Sequence, residues 1–323
     1  MDLRNDIADL QATRDNPEEP LVSIIVITYN SAKYVVETFE SAKAQTYKNI
    51  ELIISDDCST DDTVEICRKW LSENSDRFVR TALITVEKNT GIPANCNRGL
   101  RAAQGEWIKF IAGDDLLYSN CIETIVSYID KETKILLCEI NDFHNIIDFM
   151  TSYSDTGNRV NSTFIKLDSA EKQFIYFLKG FYVPGSGLFF ERKKLNESGA
   201  FEEKYKFVED RPLLLKYTYN YIKIKYIPYV LVGHRRHPAG VTAKGNETVH
   251  VYLMQVYDSI LHYSKKAKKR FFQVNAIWHI LLITLIFSSG NKGFFCDLLN
   301  ILRLKFQPLR FYNLLVKIHL IKE

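Results

Sequence analysis

Residues 107–117 read WIKFIAGDDLL, and this stretch decides the fold class. Its first half is short, apolar and rich in Ile and Phe, which is typical of a buried strand. Its second half ends abruptly in Gly113, Asp114 and Asp115. In an open parallel sheet, ligands bind beyond the carboxyl ends of the strands. Two carboxylates there suit a hard divalent cation that in turn holds a phosphate, so the stretch predicts an α/β sheet with a phosphate-binding edge.

The residues before this stretch alternate between strand-like and helix-like segments. Strands are predicted over 21–28, 50–55, 81–87 and 107–112, and helices over 32–45, about 60–73 and 94–103. This alternation predicts a parallel sheet. Ser59 and Asp62 have capping-box spacing ahead of the second helix. After residue 115, helices are predicted over 120–131 and 168–179, from 210, and from 249 to the end. Strands are predicted over 135–140, 188–190 and 221–232. Residues 142–163 are predicted to be irregular chain with short strands, and residues 233–246 to be a loop.

Composition excludes several classes of protein. The 323 residues suffice for one large domain or two modest ones. The six Cys form no C-x-x-C pair, which disfavours zinc and thiol-redox sites and suits reduced cysteines in the cytoplasm. The first twenty residues are polar and mixed in charge, so no signal peptide is predicted, and no membrane span is predicted because no run of about 18 apolar residues occurs. From residue 265 onward there are eleven Lys and Arg against two acidic residues, so an acidic body carries a basic tail suited to an anionic surface.

Polar residues follow three of the predicted strands, at 28–30, 56–57 and 114–115. The carboxyl ends of parallel strands meet at one edge, where these groups would surround a nucleotide. The alternative is that acids at strand ends cap the next helix. That alternative is strong for Asp61 and Asp62 and weaker for 56–57. It is weakest for 114–115, because mutual repulsion of two carboxylates requires a cation or an exposed edge.

Six stretches together resemble glycosyltransferase family 2. They are VSIIVITYN (22–30), ISDDCSTDDT (54–63), NTGIPANCNRGLRAAQGEWIKFIAGDD (89–115), GSGLFFER (185–192), GAFEEKYKFVED (199–210) and HRRHPAGVT (234–242). Each motif alone is modest, but their order and spacing are specific. The resemblance implies a GT-A fold and a nucleotide-diphosphate sugar as donor.

The resemblance also implies roles for individual residues on the donor side. The predicted donor-binding residues are Thr28, Tyr29, Asn30, Asp56, Asp57, Asn97, Arg98, Asp114 and Arg235, and the predicted metal ligands are Asp115, Asp114 and His237. Asp57 would accept a hydrogen bond from a uracil ring, and Arg235 would pair with phosphate. Two positions depart from the family: Ala112 replaces the first Asp of a D-x-D-D pattern, and Cys96 stands where many members have Arg, with Arg98 as its possible substitute.

The resemblance implies a second site at Glu209 and Asp210. Inverting transfer needs one base to take the proton of the acceptor hydroxyl; Asp210 is predicted to be that base, and Glu209 to orient the acceptor. The alternative is that Asp210 caps the helix ahead of Pro212, and both roles are compatible at a helix N-terminus. For the 234–237 loop, which would close over the diphosphate, the alternative is a solvated basic loop.

The predicted fold class is α/β, a Rossmann-like GT-A fold with a mostly parallel mixed sheet flanked by helices and an α-helical C-terminal extension. The predicted domains are an N-terminal arm (1–20), a GT-A domain (21–248, with a donor half to 120 and an acceptor half after it) and a helical region (249–323). The tail is expected to be an interfacial helix on anionic lipid, or alternatively a packed cap or dimer interface.

The predicted function is inverting transfer of a sugar from a nucleotide-diphosphate sugar, preferably a UDP-sugar, to a hydroxyl of a glycan or lipid-linked glycan. The expected cofactor is Mn²⁺ or Mg²⁺, no nucleic acid is expected as partner, and a homo-oligomer stays open. The setting would be bacterial surface polysaccharide synthesis at the cytoplasmic membrane face. Alternatives are a catalytically silent, membrane-attached nucleotide-sugar-binding subunit, or a polymerising transferase or nucleotidyltransferase on the same core. A Rossmann dehydrogenase is disfavoured because no G-x-G-x-x-G follows the first strand.

Overall fold

The computed structural model describes residues 19–151, 160–238 and 246–288. The predictions for most of the N-terminal arm, for the centre of the 233–246 loop and for the tail after 288 lie outside these residues. The described chain forms two compact units. The first takes the residues up to 167 with 183–206 and 222–236, and the second takes 168–182, 207–221 and the residues from 237 onward.

The first unit is built on a sheet with strand order β3-β2-β1-β4-β7-β6-β8-β5 in the described residues. The strands are β1 (Val22–Thr28), β2 (Ile50–Asp56), β3 (Arg80–Ile84), β4 (Trp107–Ala112), β5 (Leu116–Leu117), β6 (Ile135–Phe143), β7 (Leu188–Glu191) and β8 (Lys225–Arg235). β1 and β2 lie between β3 and β4 and are almost entirely buried, as their continuous Val and Ile runs predict. β1 pairs in parallel with both β2 and β4, so the strand order reverses between β1 and β4.

The rest of the sheet is mixed. β7 runs antiparallel to β4 and to β6, and β5 runs antiparallel to β8. The helices of this unit are α1 (Val35–Lys43), α2 (Thr63–Asn74), α3 (Ile92–Ala102), α4 (Cys121–Ser127), α5 (Ile146–Thr151), α6 (Ser162–Ile165) and α8 (Arg192–Glu197). The fold class is therefore confirmed as α/β with a mixed sheet flanked by helices.

The described part of the second unit is helical. It contains α7 (Ala170–Leu178), α9 (Asp210–Tyr219), α10 (Asn246–Lys266) and α11 (Arg270–Ser288). The long pair α10 and α11 pack on each other, and α9 packs against α7 and α10. Among the described residues, no helix combines the length and the apolar character needed to cross a membrane.

Several sequence predictions are wrong in detail. The 142–163 region has no short strands in its described part; β6 continues to Phe143 and the helices α5 and α6 follow. The 233–246 loop begins late, because Gly233 pairs with both Leu116 and Asn141 and extends β8. The capping box does not form, because the Ser59 hydroxyl donates to Asp56 Oδ2 and Asp62 at the N-cap makes no side-chain capping bond. Asp61 instead accepts from the Thr63 amide and hydroxyl at the start of α2.

Candidate functional site

The carboxyl ends of β1 and β4 form the reversal point of the sheet, where α/β proteins bind ligands. The chain leaving β4 is held against the end of β1, since the Gly113 amide donates to the Ile27 carbonyl at 2.9 Å. A Cβ at Gly113 would lie 2.9 Å from Thr28 Cγ2 and 3.0 Å from Ser31 Oγ. Only glycine allows this approach, which places Asp114 and Asp115 beside the β1–α1 loop.

Asp115 is buried and anchored to the end of β8. Its Oδ1 accepts from the Arg235 amide at 2.9 Å and lies 3.1 Å from His234 Nδ1. Its own carbonyl accepts from Thr38 Oγ1 of α1 at 2.8 Å. Burial alone would lower the pKa of His234, but the hydrogen bond and charge of Asp115 outweigh it and raise that pKa. The Asp115 carboxylate is therefore fixed in direction by residues about 120 positions later in the chain.

Arg235 lies in the interior of this site. Its Nε donates to the Asp114 carbonyl at 2.8 Å and its Nη2 pairs with Glu37 Oε2 at 2.5 Å. The rings of Tyr34 and Phe143 each lie 4.5 Å from the guanidinium carbon. The predicted contact of Arg235 with phosphate stays a prediction, and in this structure the side chain joins β8, α1 and the end of β4.

The histidine beside Asp115 is His234, which sequence reasoning did not select. His237, the predicted metal ligand, belongs to the second unit, so that role stays a prediction. No group of three or more His, Cys, Asp or Glu residues in the described chain is arranged to hold a metal ion. Adjacent carboxylates at a sheet edge still suit Mg²⁺, which proteins commonly bind through one or two carboxylates plus phosphate oxygens of the substrate.

The β1–α1 and β2–α2 loops are joined by polar contacts. Asp56 is fully buried and accepts from Thr28 Oγ1 at 2.8 Å and from the Ser59 amide at 2.8 Å. Asn30 adopts φ 52°, and its side-chain oxygen accepts from the Thr60 amide at 2.8 Å. Tyr29, in the β1–α1 loop, is 44% exposed. The loops are thus joined by hydrogen bonds and leave Tyr29 accessible, as stacking on a base would need.

Asp57 is more fully bonded than the predicted uracil contact suggests. Its carboxylate accepts from the Thr90 amide and hydroxyl, from the Gly91 amide at 2.8 Å and from Arg98 Nη2 at 2.6 Å. Arg98 Nε is buried and has no hydrogen-bond partner in the described residues. The uracil contact stays a prediction, and the structure shows Asp57 holding the loop before α3.

Asn97 holds the 201–203 segment. Its Oδ1 accepts from the Phe201 amide at 3.0 Å and its Nδ2 donates to the Phe201 carbonyl at 2.9 Å. Glu203 accepts from the same Nδ2 at 2.8 Å. Cys96, the departure beside it, is buried at 1% exposure. Both residues therefore lie on the packed side of α3.

The acid pair of the second unit lies where α9 begins. Glu209 occupies the N-cap without a side-chain capping bond, and Asp210 is the first helical residue, so the predicted alternative of an Asp210 cap is wrong. Asp210 Oδ1 accepts from the Arg211 amide at 2.6 Å. Burial and then the charge of Asp210 raise the pKa of Glu209 to about 8. Burial also raises the pKa of Asp210, although the Arg211 charge opposes it. The pair therefore holds a proton more tightly than isolated carboxyls, which suits a base near neutral pH.

Comparisons with known proteins agree on the family. The model of glycosyl transferase family 2 matches residues 23–199. An uncharacterized glycosyltransferase of Rickettsia typhi, RT0329, is 31% identical over 234 residues, which is 71% of this chain and 68% of that protein. The match to another curated relative spans only 36% of that relative's length.

Solved structures agree on the fold. Staphylococcus aureus TarS 1–349 in complex with UDP-GlcNAc has a TM-score of 0.57 at 20% identity, over 84% of this chain and 74% of that one. The Pyrobaculum calidifontis mannosyltransferase PcManGT, in complex with GDP-Man and Mn²⁺, has a TM-score of 0.55 at 16% identity, over 92% and 85%. With a family model that covers more than half of its length, the chain belongs to glycosyltransferase family 2, a family of sugar-transferring enzymes.

Proposed function

We propose that the chain is an inverting glycosyltransferase that moves a sugar from a UDP-sugar to a hydroxyl of a glycan or lipid-linked glycan, in bacterial surface polysaccharide synthesis. The observation that carries the proposal is the reversal point between β1 and β4, with its two adjacent carboxylates. A solved neighbour of the same fold, TarS, binds UDP-GlcNAc. The joined loops described above have the side chains that a base, a ribose and a diphosphate require.

In this proposal the donor lies along the edge from Tyr29 to Asp114. Tyr29 packs on the base, and the loops around Asp56 and Asp57 set the shape of the base pocket. Asp114 would face the ribose or the metal, and Asp115 would hold the metal. Asn97, Arg98 and Arg235 act through the loops that they fix, and His237 is a further candidate ligand. Mn²⁺ or Mg²⁺ on these carboxylates would neutralise charge on the departing diphosphate; a second neighbour of this fold carries Mn²⁺.

On the acceptor side, Asp210 takes the proton of the attacking hydroxyl. Of the two acids it has the bond from the Arg211 amide that fixes its direction. Burial and the charge of Asp210 raise the pKa of Glu209 to about 8, so Glu209 holds a proton at neutral pH and is able to donate a hydrogen bond to the acceptor. Attack on the anomeric carbon from the side opposite the diphosphate inverts that carbon, and no covalent intermediate is needed.

A donor screen tests the donor half of the proposal. Thermal shift with Mn²⁺ is measured for UDP-, GDP- and dTDP-sugars, and stabilisation by a UDP-sugar is expected because a ligand that binds only the folded state raises the melting temperature. Asp115→Asn should lose that stabilisation, and Asp76→Asn, an exposed acid elsewhere, should keep it. Preference for GDP-sugars would overturn the UDP assignment. UDP-sugar binding without any release of UDP from it would favour the silent binding subunit.

We also propose that the second unit binds an anionic membrane surface through α11. Val274, Ile277, Leu281 and Leu285 are exposed and lie along one face of this helix at spacings of three and four residues. Exposed basic residues precede that face: Lys265, Lys266, Lys268, Lys269 and Arg270. An apolar face beside clustered cations is typical of a helix at an anionic lipid interface.

Vesicle sedimentation tests the membrane proposal with the full chain. The protein should sediment with phosphatidylglycerol vesicles and not with phosphatidylcholine vesicles, and salt should weaken the binding. The double variant Ile277→Asp/Leu281→Asp should remain in the supernatant. Val79→Asp, at an exposed apolar position of the first unit, is the matched control. Equal sedimentation of both variants would overturn the proposal.

A further inference from the structure

We propose that the second unit carries a sugar-binding subsite in which the exposed rings of Phe181 and Tyr182, beside Glu209 and Asp210, pack on an uncharged pyranose ring of the acceptor. The assignment of this sugar to the acceptor rests on the proposed function. The binding of the sugar itself rests on the arrangement of the second unit alone.

The two rings are adjacent in the chain and both face solvent. Phe181 is 45% exposed and Tyr182 is 63% exposed, in the short segment that follows α7. Large aromatic rings gain most of their stabilisation from being covered. The C–H face of a pyranose is an apolar surface of similar size to one ring, and its partly positive hydrogens are attracted to the negative face of an aromatic π system.

Hydrogen bonds to its backbone carbonyls and one ring contact fix the segment that carries the two rings. The buried guanidinium of Arg211 donates to the Phe181 carbonyl at 2.8 Å, and it makes longer bonds to the Phe177 and Gly180 carbonyls at 3.4 Å. The Tyr176 hydroxyl donates to the Tyr182 carbonyl at 3.3 Å, and the Tyr176 and Phe181 rings lie 4.9 Å apart. Binding on a segment already fixed loses little conformational entropy.

Arg211 joins this segment to the acid pair. Its side chain holds the loop carbonyls, and its backbone amide donates to Asp210 Oδ1 at 2.6 Å. One residue therefore joins the backbone of the segment that carries the rings to the proposed base. A sugar lying on the rings would present a hydroxyl from its edge to the carboxylates, which is the orientation that proton removal needs.

Tyr252 of α10 adds a hydroxyl to the same cluster. The Phe207 amide, just before the acid pair, donates to Gln255 Oε1 at 3.1 Å and so ties this segment to α10 one turn beyond Tyr252. Burial, followed by the charge of Asp210, raises the pKa of Tyr252 to about 12. The Tyr252 hydroxyl, which is protonated at neutral pH as in any tyrosine, is able to donate a hydrogen bond to a sugar oxygen.

The charges of the cluster select the class of sugar. The cationic group of Arg211 is covered by the loop carbonyls that it binds, so the acid pair dominates the side that faces a ligand. Although Glu209 holds a proton at neutral pH, the negative charge that remains on the pair disfavours a phosphate or a uronic acid at this point, because like charges repel most strongly where water is partly excluded. The subsite is thus suited to a neutral hexose or N-acetylhexosamine unit.

Saturation-transfer NMR on the full chain tests the subsite without any turnover. Methyl glucoside, methyl galactoside and methyl N-acetylglucosaminide are the probes, and methyl glucuronide is the charged comparison. At least one neutral pyranoside should give a signal on its ring C–H protons, with a weaker signal from the glucuronide. Phe181→Ala and Tyr182→Ala should each weaken binding by about three- to tenfold, which corresponds to the ~1 kcal/mol typical of an aromatic contact.

Control variants separate the subsite from general damage and from catalysis. Tyr182→Phe keeps the ring and should keep binding, as should Tyr221→Ala, which removes a 75% exposed ring elsewhere in the second unit. Melting temperatures check that each variant folds. Asp210→Asn should stop transfer and leave pyranoside binding in place. No signal from any neutral pyranoside, or equal signals in both ring variants and the wild type, would overturn the subsite. Pyranoside binding in a protein that binds no UDP-sugar would leave the subsite standing and overturn the proposed function.

Discussion

Replacing Arg235 by Met tests whether the side chain of this residue stabilises the fold of the site or binds the donor. Met retains the apolar volume of the side chain but removes the bond to the Asp114 carbonyl, the ion pair with Glu37 and the contacts with Tyr34 and Phe143. The carbonyl bond contributes about 1 kcal/mol, and each ring contact about 0.5–1 kcal/mol. The ion pair adds about 1 kcal/mol, because Glu37 remains partly exposed to water.

The whole change should therefore cost about 3–4 kcal/mol of unfolding free energy, or roughly 6–16 °C in melting temperature. Differential scanning fluorimetry measures it, and chemical denaturation gives the free energy. Arg236→Met is the matched control, since Arg236 pairs with Asp142 where both side chains are about one-third exposed; it should shift melting by no more than about 2 °C. If Arg235→Met melts like the control and only loses stabilisation by UDP-sugars, Arg235 is a donor ligand and the structural role is refuted.

Two further predictions concern buried or partly buried acids. Glu51 of β2 is fully buried and accepts from Ser23 Oγ, the Gln104 and Gly105 amides and Arg80. Burial raises its pKa, but these four bonds outweigh burial and lower it, so ionised Glu51 stabilises the fold above pH ~4.5 and this contribution is lost as pH falls. Glu51→Gln should therefore melt well below wild type at pH 7 and approach it below pH ~4.5; a gap independent of pH would contradict this. For Glu209 the sign is opposite, because its raised pKa means that the folded state loses stability as pH rises from about 4.5 to about 8. Across that window the unfolding free energy of Glu209→Gln, measured with urea, should rise progressively above that of wild type. Glu73→Gln, at an exposed position, is the control. A difference between Glu209→Gln and wild type that does not change with pH would contradict the raised pKa of Glu209.

The sequence predicted the strands that consist of continuous runs of apolar residues. β1 and β2 were predicted within two residues at each end, because a run such as VSIIVIT has no stable position except between two covered faces. The pair Asp114–Asp115 was placed correctly at a strand end for the same reason. The antiparallel insertion of β7 between β4 and β6 was not predictable, because short strands far apart in the chain pair by tertiary packing that no local pattern specifies.

The partners of the site residues were harder to predict than their positions. The motif HRRH offered two histidines, and the extent of β8 decides between them. Because β8 continues to Arg235, the Arg235 amide and the His234 ring both reach Asp115. A strand that ended at residue 232, as predicted, would not specify which residues of the motif contact Asp115. Asp57 and Asn97 show the same limit, since their partners are backbone groups of loops whose course depends on the whole fold.

The hydrogen-bond partners of the carboxylates explain why the two units suit different chemistry. In the first unit Glu51, Asp56 and Asp57 each accept three or more bonds from the protein, which occupy the lone pairs that a base would need. Among the described residues of the second unit, the Asp210 carboxylate accepts one bond, from the amide of the next residue, and burial raises its pKa. A general base needs both an available lone pair and an affinity for protons. Of these acids only the pair at the start of α9 has both, and that chemical difference, more than its position in a motif, is the reason to assign proton transfer to Asp210.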